Sequence, residues 1–459
     1  MSQTQAPAPQ LLELEDIQGV ILRDARLPFG AYLFARVDVA AHGREFLRRV
    51  ADDVTTAAGW WEPSPSTLNV GISYQGFLAL GLPRESLESF SEEFRQGMAA
   101  RAEVIGDTGL SGPAHWAGGL GTPDIHLMLY LTAQDEGILS RLLDDARKAQ
   151  ADLTGVAEVY RQDVWVPPDL REHFGFRDAI GGVVVEGAGE VVGGEVVDSA
   201  GGGAPRPGHG PPIKAGEFIL GYPDQTATLP PMPQPDVLGR NGTYAALRKL
   251  HQNVAAFRAF ITASGKTAEE QELVAAKMVG RWRSGAPLAL APERDDPELG
   301  ADPMRNNAFA YGDDPSGLRV PQGAHIRRIN PRDSLEDTIA DVKRHRIVRR
   351  GMAYGPRLPE GVADDGVDRG AAFLIMGASI ARQFEFIQRT WINDGDFVGL
   401  GSEKDPLVGA NDGTGTFTIP KKPIRRRVKG LPRFVTTRGG EYFFIPGIRA
   451  LRWIAEAGT

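Results

Sequence analysis

Ala31-Tyr32-Leu33-Phe34-Ala35-Arg36-Val37 is an apolar, aromatic run with one charge, and it leads into a stretch from His42 to Ala57 whose apolar positions recur at helical spacing. A strand followed by an amphipathic helix is the unit this predicts, and the unit returns. Asn69 to Ser73 alternates as a strand, Arg84 to Val104 is helical in pattern, His126 to Leu131 is an apolar strand, and Asp135 to Ala151 is helical with its charges on one side. A Gly-, Pro- and Val-rich segment from Gly181 to Pro212 interrupts the order; it is expected to be loop, with a short ribbon over Gly187 to Val197 whose valines flank Gly193-Gly194. A second series then begins at Glu217-Phe218-Ile219-Leu220. It predicts helices over Leu247 to Ser264 and Glu269 to Trp282, a strand around Ala372 to Met376, a helix over Ser379 to Trp391, and a final hairpin over Phe434 to Ile445 turning at Gly439-Gly440. The reading is an α+β chain of two similar units, 1–213 and 214–459, and a functional site at the junction of two such units is a common arrangement.

Composition narrows the chemistry. The 459 residues are 42% hydrophobic, enough for two cores. The longest apolar runs, such as Ala371 to Met376, fall far short of the roughly 20 residues a membrane helix needs. There is no cysteine, which removes disulfides, thiolate ligation, iron-sulfur clusters and covalent C-x-x-C-H haem attachment. A metal would have to sit on His, Asp, Glu or Tyr. A net charge of -8 argues against nucleic acid as the main partner, and the cluster of Lys421-Lys422 with Arg425-Arg426-Arg427 is expected to be a solvated face. Residues 1 to 10 carry no signal-peptide pattern and no twin arginine, and the segment Ile454 to Thr459 has no evident targeting tail, so a cytoplasmic location is the expectation. Monomer and homo-oligomer stay open.

Eight histidines are the candidate metal ligands. His42 and His209 lie beside glycine in polar stretches, and His126 and His251 fall on strand and helix patterns. His325 differs, standing in Gly323-Ala-His-Ile-Arg-Arg-Ile-Asn-Pro-Arg-Asp333, a run too basic and turn-rich for core. Eight further stretches accompany it: Gly175-Phe-Arg-Asp-Ala-Ile-Gly181, Lys214-Ala-Gly-Glu-Phe-Ile-Leu-Gly-Tyr222, Arg240-Asn-Gly-Thr-Tyr244, Val279-Gly-Arg-Trp-Arg283, Arg346-Ile-Val-Arg-Arg-Gly351, Gln383-Phe-Glu-Phe386, Asp412-Gly-Thr-Gly-Thr-Phe417 and Phe434-Val-Thr-Thr-Arg-Gly-Gly-Glu-Tyr442. Together these words resemble a dye-decolorizing peroxidase of the larger bacterial and fungal branch, over almost the whole chain. The resemblance implies two ferredoxin-like α+β domains of the dimeric α+β barrel type, with non-covalent haem b in the C-terminal one. It also implies hydrogen peroxide and bulky aromatic reductants such as dyes and phenols as substrates.

Carried over position by position, the resemblance puts the axial iron ligand on His325, the distal aspartate on Asp178 and the distal arginine on Arg349. It gives Asp412, 87 residues beyond His325, as the acceptor for the second ring nitrogen of the ligand. Peroxide must lose a proton from one oxygen and gain one on the other before its O–O bond breaks. Asp178 is suited to carry that proton and Arg349 to stabilise the developing negative charge. A carboxylate base stays ionised at mildly acidic pH, where histidine, with an ordinary pKa of about 6.5, is protonated. An acidic optimum for dye oxidation follows. The family pattern ends Gly-x-x-Asp-Gly, but this chain has Ala179; if that position needs a positive φ, alanine costs about 1–2 kcal/mol and the aim of Asp178 is affected. Gly351, where relatives often carry a polar side chain, predicts a larger or wetter distal pocket. Leu374 and Met376 are candidates for the haem-facing side of their strand, Arg332 and Arg327 for the haem propionates, and Trp391 and Tyr354 for electron transfer to bulky substrates. The alternative is a haem-handling protein without efficient turnover, which would not require Asp178 and Arg349 together.

Overall fold

Eight strands close into one barrel. The computed structural model describes residues 11–60, 64–192, 195–197, 211–335 and 341–456. In the first half, β1 (Phe29–Val37), α1 (Ala40–Val50), β2 (Ser66–Ile72), β3 (Leu127–Ala133), α2 (Glu136–Gln150) and β4 (Val156–Trp165) follow one another. In the second, β5 (Thr243–Gln252), α3 (Val254–Ala263), α4 (Ala268–Val279), α5 (His325–Ile329), β6 (Val348–Tyr354), β7 (Gly370–Gly377) and β8 (Val435–Ile445) repeat the pattern. Around the barrel the order is β1-β3-β2-β8-β5-β7-β6-β4. Each half is therefore a ferredoxin-like sheet whose first and third strands lie at its centre. The two sheets meet through single register pairs, Phe444 with Ile72 on one side and Trp165 with Ala353 on the other.

The opening run explains why the barrel forms. On β1, Tyr32 and Phe34 point inward to join Met128, Tyr130, Leu374 and Phe443, while Leu33, Ala35 and Val37 point outward against Phe46 and Leu47 of α1. Both faces are covered, so the strand reads as continuously apolar. The helices are placed by their caps: Asp135 accepts from the Ile138 N–H at 2.8 Å, and α4 ends at Gly280 in the left-handed region with φ 98°.

Three expectations change. Leu247 to Gln252 belongs to β5 and not to the helix that follows, because a strand flanked by β8 and β7 and buried on both faces shows no alternation to distinguish it. Phe434 to Ile445 is no hairpin: β8 runs through Gly439 and Gly440 with a register shift between Thr437 and Gly439. A Cβ on Gly440 would lie 2.3 Å from the sulfur of Met98, so the glycine is set by crowding and not by a turn. The stretch from Arg84 to Val104 breaks into short helical turns, first between Ser89 and Ser91 and again at Gly97, where φ is 78°. Within the insertion, Glu190–Val192 pairs with Glu195–Val197 as expected for the ribbon; its two central glycines, and His209, lie outside the described residues. Among the described residues no helix is long and apolar enough to cross a membrane.

Candidate functional site

A cavity of about 520 Å³ runs along the outer face of the second sheet and on into the barrel mouth. Its floor is Leu250 and Gln252 of β5, Arg349, Gly351 and Ala353 of β6, and Ala371 and Phe373 of β7; its roof includes His325, Ile326 and Ile329 of α5 and the loop Arg177 to Gly182. Strand alternation settles which residues of β7 belong to it. Leu374 and Met376, expected on this face, point the other way into the barrel, and Phe373 takes their place.

His325 opens α5 and lines the cavity. Its Nδ1 lies 2.9 Å from Oδ2 of Asp405, whose side chain is wholly buried. Oδ1 of the same carboxylate accepts from the N–H groups of Leu407 and Val408, both at 2.9 Å, and the Asp405 carbonyl accepts from Nδ2 of Asn411 at 2.8 Å. Burial alone would raise the Asp405 carboxyl, but His325, the Val408 N–H and Arg328 outweigh it and hold it below the usual range. An ionised carboxylate here fixes the proton on Nδ1 and leaves Nε2, which has no partner among the described residues, as a lone-pair donor. Asp412, expected in this role, is instead exposed and closes its own turn by accepting from the Thr414 N–H at 3.0 Å and hydroxyl at 2.6 Å. Sequence reasoning missed Asp405; the only local signal for it is Asp-Pro-Leu-Val, an aspartate whose side chain can accept from the N–H groups two and three residues on.

On the other side, Asp178 presents an exposed carboxylate to the cavity. Its N–H donates to the Leu170 carbonyl at 2.8 Å, and its Oδ1 accepts from the Ala179 N–H at 2.7 Å. Ala179 has φ 60°, so the strain anticipated for alanine at this position is present, at a cost of about 1–2 kcal/mol. Three arginines reach the carbonyls of this loop: Arg26 holds Ala179 at 3.3 Å, Arg349 holds Gly181 at 3.3 Å and Arg346 holds Gly182 at 3.2 Å. Gly351 does not open the pocket as expected, because a Cβ there would lie 2.8 Å from the ring of Phe373, which occupies the space.

No protein-family model matches the sequence. It is 30% identical over 477 residues to the dye-decolorizing peroxidase msp1 of Mycetinis scorodonius, across 96% of this chain and 88% of that one. The chain belongs to the dye-decolorizing peroxidase family. Its fold matches a solved ancestral D-type dye decolorizing peroxidase with a TM-score of 0.81 at 29% identity, over 97% of this chain and 99% of that one. It matches equally a dye-decolorizing peroxidase solved in complex with 2,6-dimethoxyphenol, with a TM-score of 0.80 at 29% identity, over 97% and 100% of the two chains.

The family implies a haem cofactor, and the donors of this peroxidase fit one. Haem carries two carboxylates, and the cavity holds arginines that form no ion pair among the described residues. Burial, with Arg332 and Arg349 alongside, pushes the Arg346 guanidinium down to about 9, and burial pushes Arg281 down to about 10. The Tyr311 hydroxyl, also in the lining, is buried beside Arg332 and Arg281. Arg332 donates to the Asn307 and Phe309 carbonyls at 3.3 and 2.8 Å and lies 3.9 Å over the Phe309 ring, at the cavity edge. Arg327 does not reach the cavity; it donates to the carbonyls of Val320 at 2.7 Å and Asp314 at 3.0 Å and is structural. Arg281, Arg346 and Tyr311 escaped the sequence reading, since an arginine in a basic loop carries no mark of burial. Trp391 is buried against His345 and Phe386, and Tyr354 lies inside the barrel with its hydroxyl donating to Asp368 at 3.0 Å.

Proposed function

We propose that this chain reduces hydrogen peroxide at a non-covalent haem b in the cavity, whose iron His325 would ligate, and oxidises dyes, phenols and other bulky aromatic reductants. The observation that carries the reading is the pairing of His325 with the buried carboxylate of Asp405 on one wall of a cavity whose other wall presents Asp178 and Arg349. Haem bound there supplies the redox chemistry. Arg332 and Arg346 would hold its propionates, and Asp405, by holding Nδ1 of His325, would leave Nε2 to bind the iron. Asp178 takes the proton from one peroxide oxygen and returns it to the other, while Arg349 offers positive charge to the departing oxygen. Both groups together favour turnover over mere haem handling.

The test is an absorption spectrum of purified protein before and after peroxide, with steady-state rates on 2,6-dimethoxyphenol. Asp178→Asn and Arg349→Leu should keep the haem spectrum and react slowly with peroxide. Parental rates in both variants would defeat the distal assignment, and an optimum above neutrality would count against a carboxylate base.

A further inference from the structure

Neighbouring residues of a strand face opposite ways, and on β6 this separates two arginines. Arg349 faces the outer cavity, whereas Arg350, in phase with Val348 and Met352 of the barrel core, points inward. The wall is open beside them, because β6 and β4 share only the Trp165–Ala353 pair. The cavity lining accordingly includes both faces of β6 and continues, inside the barrel mouth, to Trp60, Thr67, Tyr130 and Thr132.

This inner chamber is a defined chemical environment. The Thr67 and Thr132 hydroxyls meet at 2.6 Å, and the Tyr130 hydroxyl donates to the Met352 sulfur at 3.1 Å. Arg350 donates from Nη1 to the Arg349 carbonyl at 2.9 Å and from Nη2 to the Ile21 carbonyl at 3.4 Å, and its Nε is buried with no acceptor. Among the described residues it has no ion pair; Asp24, at the mouth, is paired with Arg26 at 3.2 Å. A guanidinium set beside Tyr130 and hydrogen-bonded only to backbone carbonyls has lost hydration, and the carboxylate that acts on it, Asp24, is shared with Arg26.

We propose that this inner arm of the cavity is a second ligand site, beside the part lined by His325, that takes a small aromatic monocarboxylate. One cation without an ion pair among the described residues matches one carboxylate. The flat apolar walls at Tyr130 and Trp60 match an aromatic ring, the paired threonine hydroxyls match a ring hydroxyl, and Asp24 at the mouth disfavours a dianion.

Isothermal titration of the haem-loaded protein with 4-hydroxybenzoate, with cyanide present to occupy the outer cavity, tests this. The expected result is one equivalent bound in the presence of cyanide, weakened at least about tenfold by Arg350→Gln, the loss of one charge-assisted contact. Thr132→Leu, which fills the chamber and leaves the guanidinium intact, should weaken binding as much, and it decides the matter if Arg350→Gln fails to fold. Neither variant should alter cyanide affinity. Absence of binding, displacement of the carboxylate by cyanide, or unchanged affinity in the variants would overturn the proposal. If the haem assignment were at fault instead, cyanide would not bind at all while the dependence on Arg350 would remain.

Discussion

The two walls of the cavity are built to different standards of rigidity. Behind His325 stands a carboxylate that is completely buried and tied by two N–H groups at 2.9 Å, with its own backbone carbonyl held by Asn411. Behind Asp178 stands an exposed loop with an alanine in the left-handed region, gripped by arginines whose three bonds are all between 3.2 and 3.3 Å. An axial ligand works best with one tautomer and one ring orientation, which a dry and saturated network enforces. A group that takes a proton from one oxygen and delivers it to another must reach both positions, and a solvated loop allows that. The difference teaches that order is concentrated where a bond to metal is expected, and adjustability where a proton is expected to move.

The comparison breaks most visibly at its two principal residues. His325→Ala should abolish the haem spectrum altogether, an effect beyond the roughly 10–100-fold that losing an outer partner costs. Asp178→Asn should retain haem and lower kcat/KM for peroxide by about 10²–10⁴, the range for loss of a positioned acid-base group. A spectrum with unchanged occupancy in the first variant, or a rate within a few-fold of the parent in the second, would reverse the assignment of the walls.

A sharper contrast lies between two aspartates seven residues apart. Asp405→Asn removes the charge that fixes the Nδ1 proton and leaves a buried amide facing two N–H donors, so haem affinity or activity should fall by roughly 10–100-fold. Asp412→Asn breaks only an exposed turn and should leave both within about twofold, since exposed polar contacts of this kind contribute little. Haem titration of the two variants side by side checks this, and equal losses would return Asp412 to the role first expected of it.

Legibility in the sequence followed the same divide. The strand-helix units of the first half were readable because α1 and α2 are amphipathic and β1 is apolar on both faces. The site words named His325, Asp178 and Arg349, and all three line the cavity. What failed depended on the third dimension. A run such as Leu247 to Gln252 is helical or extended according to its neighbours, Leu374 and Phe373 differ only in which side of β7 faces the cavity, and the acceptor for His325 depends on how a distant loop folds back. Ala179 was the exception, because positive φ is a property of the backbone itself, and its cost could be stated before the loop was seen.

The smallest effect is therefore the most specific. Replacing Ala179 by glycine removes about 1–2 kcal/mol of left-handed strain and returns about 0.4–1 kcal/mol of backbone entropy to the unfolded chain, a net gain of about 1 kcal/mol. Denaturant unfolding should show the midpoint rising with an unchanged slope. The Arg26, Arg346 and Arg349 contacts reach backbone carbonyls that glycine retains, so peroxide kinetics should move less than about threefold, far below the cost of losing Asp178. A large change in kcat/KM alongside the stability gain would mean that the strain at Ala179 aims the carboxylate, and the distal wall would then be as tightly specified as the proximal one.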